Sequence, residues 1–216
     1  MMAALASAAM PNATIAGTRD SEQVNATDKG YGIDHAVVQD AAGKLYDTFA
    51  SNTPKGRKRL AGRVRAAQTL MGNRELGGLG FDVDRVLAFS NGEQERSVTG
   101  DVSVMIATHH DGQARPLTLL TLDDCASVGT ALGGLWSFAT CPVHGGLSDG
   151  DVLFSGSSIT AITNWQDMQV NDPARDLAWI FSKLDENHRN ALLSAYGRML
   201  GNRLDDLIML RANLWL

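Results

Sequence analysis

The stretch VHGGLSDGDVLFSGSSITAITNWQDMQVNDPARDLA, from Val143 to Ala178, decides how the rest of the chain is read. Three glycines among His144 to Gly150 mark a loop. Apolar residues at Asp151 to Phe154 and at Ile159 to Asn164, with Gly156 between them, predict a β-hairpin. Asp172-Pro173 then opens a helix, the Asp as cap and the Pro at the first helical position, where its missing N–H costs nothing.

Loop, hairpin and capped helix in this order resemble the core of the aminoglycoside/macrolide phosphotransferase family. That family has a protein-kinase-like fold and carries H-G-D-L-x-x-x-N, a strand ending I-D-W, and G-D-P-x-x-D-L-A. The matching residues are His144-Gly145-Gly146-Leu147 with Asp151, then Thr163-Asn164-Trp165, then Asn171-Asp172-Pro173-Ala174-Arg175-Asp176-Leu177-Ala178. The resemblance implies an α+β fold of two lobes, a small antiparallel sheet lobe over residues 1–108 with one basic helix and a helical lobe over 109–216 with the loop and hairpin. It also implies ATP and Mg2+ as cofactors. In such enzymes the first Asp orients the acceptor hydroxyl and takes its proton, while the loop Asn and strand-end Asp hold the metal. By this resemblance His144, Gly146 and Asp149 occupy the catalytic loop, Asp151 and Asn164 stand at the metal positions, and Trp165, Asp172 and Asp176 are structural.

The frame is kept and the chemistry is altered. Gly146 stands at the base position and offers no proton acceptor, a loss worth about 10²–10⁴-fold in rate. Asn164 can ligate through its carbonyl oxygen but brings no charge, which Asp151 partly restores. The expected function is therefore a phosphotransferase-family protein, pseudokinase-like and catalytically impaired or inactive. Two alternatives stand beside it: an active ATP-dependent small-molecule phosphotransferase with displaced metal ligands, and an interaction module built on the helix over residues 55–74.

Outward from the core, Ile33 to Gln39 and Lys44 to Ala50 read as a hairpin about Asp40-Ala41-Ala42-Gly43. The family places a phosphate-binding Lys or Arg after such a turn; here the nearest equivalents are Asp47, Thr48 and Phe49. Pro54 to Arg74 carries Lys55, Arg57, Lys58, Arg59, Arg63, Arg65 and Arg74 without an acid. Leu60, Val64, Ala67 and Met71 recur at helical spacing, so the segment reads as an amphipathic helix with a cationic outer face. The Glu that normally pairs with the phosphate-binding Lys is absent from it, Arg63 or Arg65 being its neighbours. An acidic protein partner is the ligand such a face would suit.

Ala13 to Ala16, Phe81 to Phe89 and Asp101 to Ala107 read as further strands. Adjacent His109 and His110 point different ways and make a poor metal pair. From Leu117 onward an apolar side including Leu119, Leu122, Cys125, Val128, Leu132 and Leu135 predicts a helix, with Trp136 where the family commonly has His. Only seven residues separate Trp136 from His144, too few for the helical insertion that shapes the family's acceptor pocket. Asp185 caps a helix to Met199, and Arg203 to Leu216 reads as the last one.

The composition is that of an ordinary globular chain: 216 residues, 44% hydrophobic, 20% charged, net charge −5. That charge argues against a generic nucleic-acid binder. No apolar run reaches the ~18 residues of a membrane span. Met1 to Met10 lacks the basic start of a signal peptide and reads as a surface helix ended by Pro11. Cys125 and Cys141 have no zinc or redox spacing, which points to the cytoplasm.

Overall fold

A computed structural model describes residues 14–17, 28, 30–72, 80–92, 101–136, 142–201 and 208–214. The expectations for Met1 to Met10, Arg74, Cys141, the Trp136 side chain and Trp215-Leu216 lie outside the described residues, as do most of the Ser90 to Gly100 turn and the start of the last helix. The strands are β1 (Thr14–Gly17), β2 (Asp34–Gln39), β3 (Leu45–Ser51), β4 (Asp82–Val83), β5 (Val86–Ser90), β6 (Ser103–Thr108), β7 (Gln113–Ala114), β8 (Pro142–Val143), β9 (Val152–Ser155), β10 (Ser158–Ile162) and β11 (Gln169–Val170). The helices are α1 (Pro54–Gly72), α2 (Leu122–Trp136), α3 (Ala174–Lys183), α4 (Glu186–Met199) and α5 (Ile208–Asn213). Contacts divide the chain into one unit of Met1–Met71 with Asp84–His109 and another of Gly72–Val83 with His110–Leu216.

The first unit is a five-stranded antiparallel sheet in the order β1-β2-β3-β6-β5. Its β2–β3 hairpin turns because Asp40 Oδ1 accepts from the N–H groups of Ala42 and Lys44, both at 2.9 Å, and Gly43 takes a φ of 84°. Alternation sends Val38, Tyr46, Ala50, Val104 and Ile106 to one face. Ile33, Met105 and Ala107 go to the other, where Leu60 and Val64 of α1 cover them and Phe49 packs alongside. The helix starts where Thr53 Oγ1 accepts from the Gly56 N–H at 3.0 Å, with Pro54 in its first turn.

Two expectations for α1 are corrected here. Met71 is 56% exposed and takes no part in the apolar side, which runs through Leu60, Val64, Ala67 and Leu70. The cationic face is also narrower than seven residues. Arg63 is buried, its guanidinium 2.5 Å from Asp28 Oδ1 and 5.0 Å from the centre of the Phe49 ring. Arg59 lies 4.4 Å over the Tyr31 ring, and Arg57 donates to the carbonyls of Asn52 and Asp101. Lys55, Lys58 and Arg65 remain as the exposed cations of the described helix.

The second unit holds a four-stranded sheet in the order β4-β10-β9-β7, in which β4 runs parallel to β10, and a two-stranded ladder of β8 with β11. Helix α2 opens on a reciprocal cap: Asp124 N–H donates to Thr121 Oγ1 at 3.1 Å while Thr121 N–H donates to Asp124 Oδ2 at 2.9 Å. Arg115 clamps the same carboxylate at 2.8 and 2.9 Å. Leu119 and Leu122, expected on the helix's apolar side, are exposed. They precede or open the helix, and Cys125, Val128, Leu132 and Leu135 carry the buried stripe. Helix α2 packs on α4 with the backbones nearly touching. A Cβ on Gly129 would sit 2.1 Å from the Leu192 carbonyl oxygen, and one on Gly133 2.9 Å from that of Tyr196. Among the described residues no helix is long and apolar enough to cross a membrane.

Candidate active site

The loop after β8 is shaped by contacts that reach it from two later elements. Asp176, in the first turn of α3, turns its buried carboxylate back to the loop, accepting from the N–H groups of His144 at 2.6 Å and Gly145 at 2.8 Å. Burial pushes this carboxyl above its ordinary range; the nearby His144 and the two N–H donors oppose the shift without cancelling it. His144 is itself buried, its Nε2 donating to the Thr163 carbonyl at 2.7 Å and its ring 4.9 Å from that of Trp165. Trp165 fills the space beneath, donating from Nε1 to the Ile162 carbonyl at 2.7 Å.

Gly145 needs to be glycine on two counts. Its φ is 87°, and a Cβ would lie 2.2 Å from the Asp167 carbonyl oxygen. Gly146 differs: it is exposed, its φ is not in the left-handed region, and a Cβ there would meet nothing within 4 Å. Gly146 thus faces open space on the side where a side chain would project.

Asp149 Oδ1 accepts from the Leu117 N–H at 3.0 Å, which turns it toward the chain before α2. Asp151 is 4% exposed, and three donors converge on its carboxylate. Ser148 supplies its N–H and its hydroxyl to Oδ2, both at 2.7 Å, and Asn164 supplies its side-chain amide to Oδ1 at 2.6 Å. Asn164 reaches there from just past β10, in a left-handed conformation with φ 65° and ψ 40° that Asn tolerates better than most residues. Ser148 was not singled out from the sequence, although its spacing from Asp151, S-x-x-D, is that of a side-chain cap and could have marked it.

Asp172 accepts from the Ala174 N–H at 3.0 Å at the start of α3 and pairs with Arg211 of α5, Nε to Oδ2 at 2.7 Å. In the first unit, the three positions nearest the family's phosphate-binding cation split by strand alternation. Thr48 is buried in the sheet. Asp47 binds His35 Nε2 at 2.7 Å and His109 Nδ1 at 3.1 Å, and Phe49 lies under Arg63. Neither that cluster nor the Asp28 partner of Arg63 was foreseen. His109 faces the Asp47 carboxylate, and among the described residues no three His, Cys, Asp or Glu side chains are grouped in a way that could hold a metal ion.

Comparison with known proteins agrees with this architecture. A family model described as "phosphotransferase enzyme family" matches residues 74–210, more than half of the chain. Macrolide 2'-phosphotransferase MphH from Brachybacterium faecium superposes with a TM-score of 0.66 at 13% identity, over 84% of this chain and 78% of that one. The GDP complex of wild-type aminoglycoside 2'-phosphotransferase-IIIa gives 0.64 at 10%, over 96% and 83%. Macrolide 2'-phosphotransferase type I gives 0.58 at 16%, over 92% and 88%. No curated protein matches the chain in sequence. Identities this low speak for the fold, here α+β and kinase-like, and the family model speaks for the lineage: the chain belongs to the phosphotransferase enzyme family.

Proposed function

We propose that this family member is catalytically impaired, keeping the loop frame of a phosphoryl-transfer enzyme without the group that takes the acceptor's proton. The observation that carries the proposal is Gly146, exposed and facing open space where a carboxylate would have to stand. Phosphoryl transfer relies on positioning and charge, so a missing base alone leaves slow chemistry. The β3 strand adds to the loss, offering Asp47 and Phe49 where a cation would meet nucleotide phosphates. Weak or absent ATP binding belongs to the same proposal. So does a cytoplasmic location, supported by the free, buried Cys125.

Incubation with labelled ATP, Mg2+ and a panel of aminoglycosides and macrolides tests it. The expected result is no transfer above background. Turnover that disappears in Asp151→Ala would overturn the proposal in favour of an active enzyme with displaced groups. One observation favours that second reading: Asp167 is exposed and lies across from Gly145, its Cβ 3.4 Å from where a Gly145 Cβ would be. Turnover lost in Asp167→Asn would identify it as a substitute base.

A further inference from the structure

The family's metal positions are one carboxamide on the loop and one carboxylate at the strand end. This chain has them exchanged, Asp151 on the loop and Asn164 after β10, and the exchange alters more than the location of one charge. A divalent cation bridges two residues by accepting lone pairs from both. Here the two side chains are in direct hydrogen-bond contact, 2.6 Å apart, and the carboxylate can only accept, so the amide turns its N–H toward it. The second oxygen of Asp151 already takes two donors from Ser148. The loop end is further tied to the strand by the Thr163 N–H, which donates to the Asp151 carbonyl at 2.9 Å. As oriented here the pair is not a Mg2+ site: binding would require breaking a short, partly buried, charge-assisted hydrogen bond and turning the amide over so that its oxygen faces the ion.

We infer that the Asn164 amide stands in for the divalent cation, so that the loop carrying Gly146 is joined to the hairpin by a metal-independent hydrogen bond from Asn164 to Asp151. The inference rests on the impaired reading only in taking this site out of metal chemistry. Its positive end is a fixed N–H dipole, always present and never exchanged. A chain built this way holds its loop in shape without any ion in solution.

Substituting Asn164→Asp reverses the logic with almost no change in shape. The donor becomes an acceptor, and two carboxylates at this separation cannot both be charged without a cation between them. Asp also tolerates the left-handed backbone of position 164. The experiment is thermal unfolding of the full chain in EDTA and in Mg2+ or Mn2+, together with calorimetric titration of each metal alone. The parent should unfold at the same temperature in all three and give no binding heat. Asn164→Asp should unfold several degrees lower in EDTA and recover on adding either metal, since a ligand that binds the native state raises its melting point. Asn164→Ala removes the donor without adding charge, and it should fall equally in every condition. It serves as the readout if Asn164→Asp does not fold. Overturning results are a parent stabilised by metal in a manner lost with Asp151→Ala, an Asn164→Asp protein indifferent to metal, or an Asn164→Ala protein rescued by it. Failure here is separable from failure of the impaired reading: metal stabilisation of the parent without turnover sinks only the amide bridge, and metal-independent turnover sinks only the impairment.

Discussion

At the scale of single residues, the loop after β8 is held by side chains that bond to backbone groups. Asp176 and Trp165 touch backbone groups, so their roles depend on geometry that any sequence with this loop would need. At 146, 151 and 164 the environment depends on side-chain chemistry instead: Gly146 faces open space, and Asp151 and Asn164 bond to each other. Cys125 shows how far burial alone can take a residue from reactivity. Desolvation, then the charges of Asp124 and Asp185, push its thiol up to about 11. The thiolate is the nucleophile, so reactivity should be negligible at neutral pH and rise only as pH climbs toward that value. In a Cys141→Ser background, a disulfide reagent should leave the native protein unmodified at neutral pH and react fully in denaturant. Rapid labelling of the folded protein would contradict the buried placement.

At the scale of elements, helix α1 separates what a sequence discloses from what it conceals. Its extent and its buried stripe follow from local signals: Thr53-Pro54 at the start and apolar residues three and four apart. The fate of Arg63 does not, because the partner, Asp28, lies 35 residues upstream and no local rule points to it. The Asp151–Asn164 bond was concealed for the same reason, joining residues 13 apart in sequence whose contact only the hairpin creates. By contrast the capped start of α3 and the β2–β3 hairpin, whose determinants are neighbours, were legible. An acidic partner for α1, which we propose on Lys55, Lys58 and Arg65, has a matching test. Charge reversal at those three positions should lower retention on heparin at low salt, with little change in melting temperature, and the difference should fade at high salt. Arg63→Glu should behave in the opposite way. It leaves Asp28 buried beside a like charge, and loss of one partner from a buried pair costs about 3–5 kcal/mol. Equal elution of parent and triple variant would end the partner proposal.

At the scale of the whole molecule, the chain retains a kinase-like fold at 10 to 16% identity to the solved structures named above, and that fold was readable from one motif-rich stretch. Part of what holds that stretch in place lies outside it. Helices α2 and α4 meet through Gly129 and Gly133, and everything between them in sequence, the Gly146 loop, the hairpin and α3, is a length of chain whose ends this meeting brings together. Such closure carries an entropic cost that grows only slowly with length, about 0.6 kcal/mol per doubling, but it falls due before the enclosed segments gain their contacts. The glycine seam is therefore expected to act on the folding rate of the second unit as well as on its packing. Stopped-flow refolding of Gly129→Ala should show a slower folding limb, not merely faster unfolding, and a variant affecting unfolding alone would place the seam late in folding. A single methyl group on a helix seam would then decide how soon the loop and hairpin between the two helices can assemble at all.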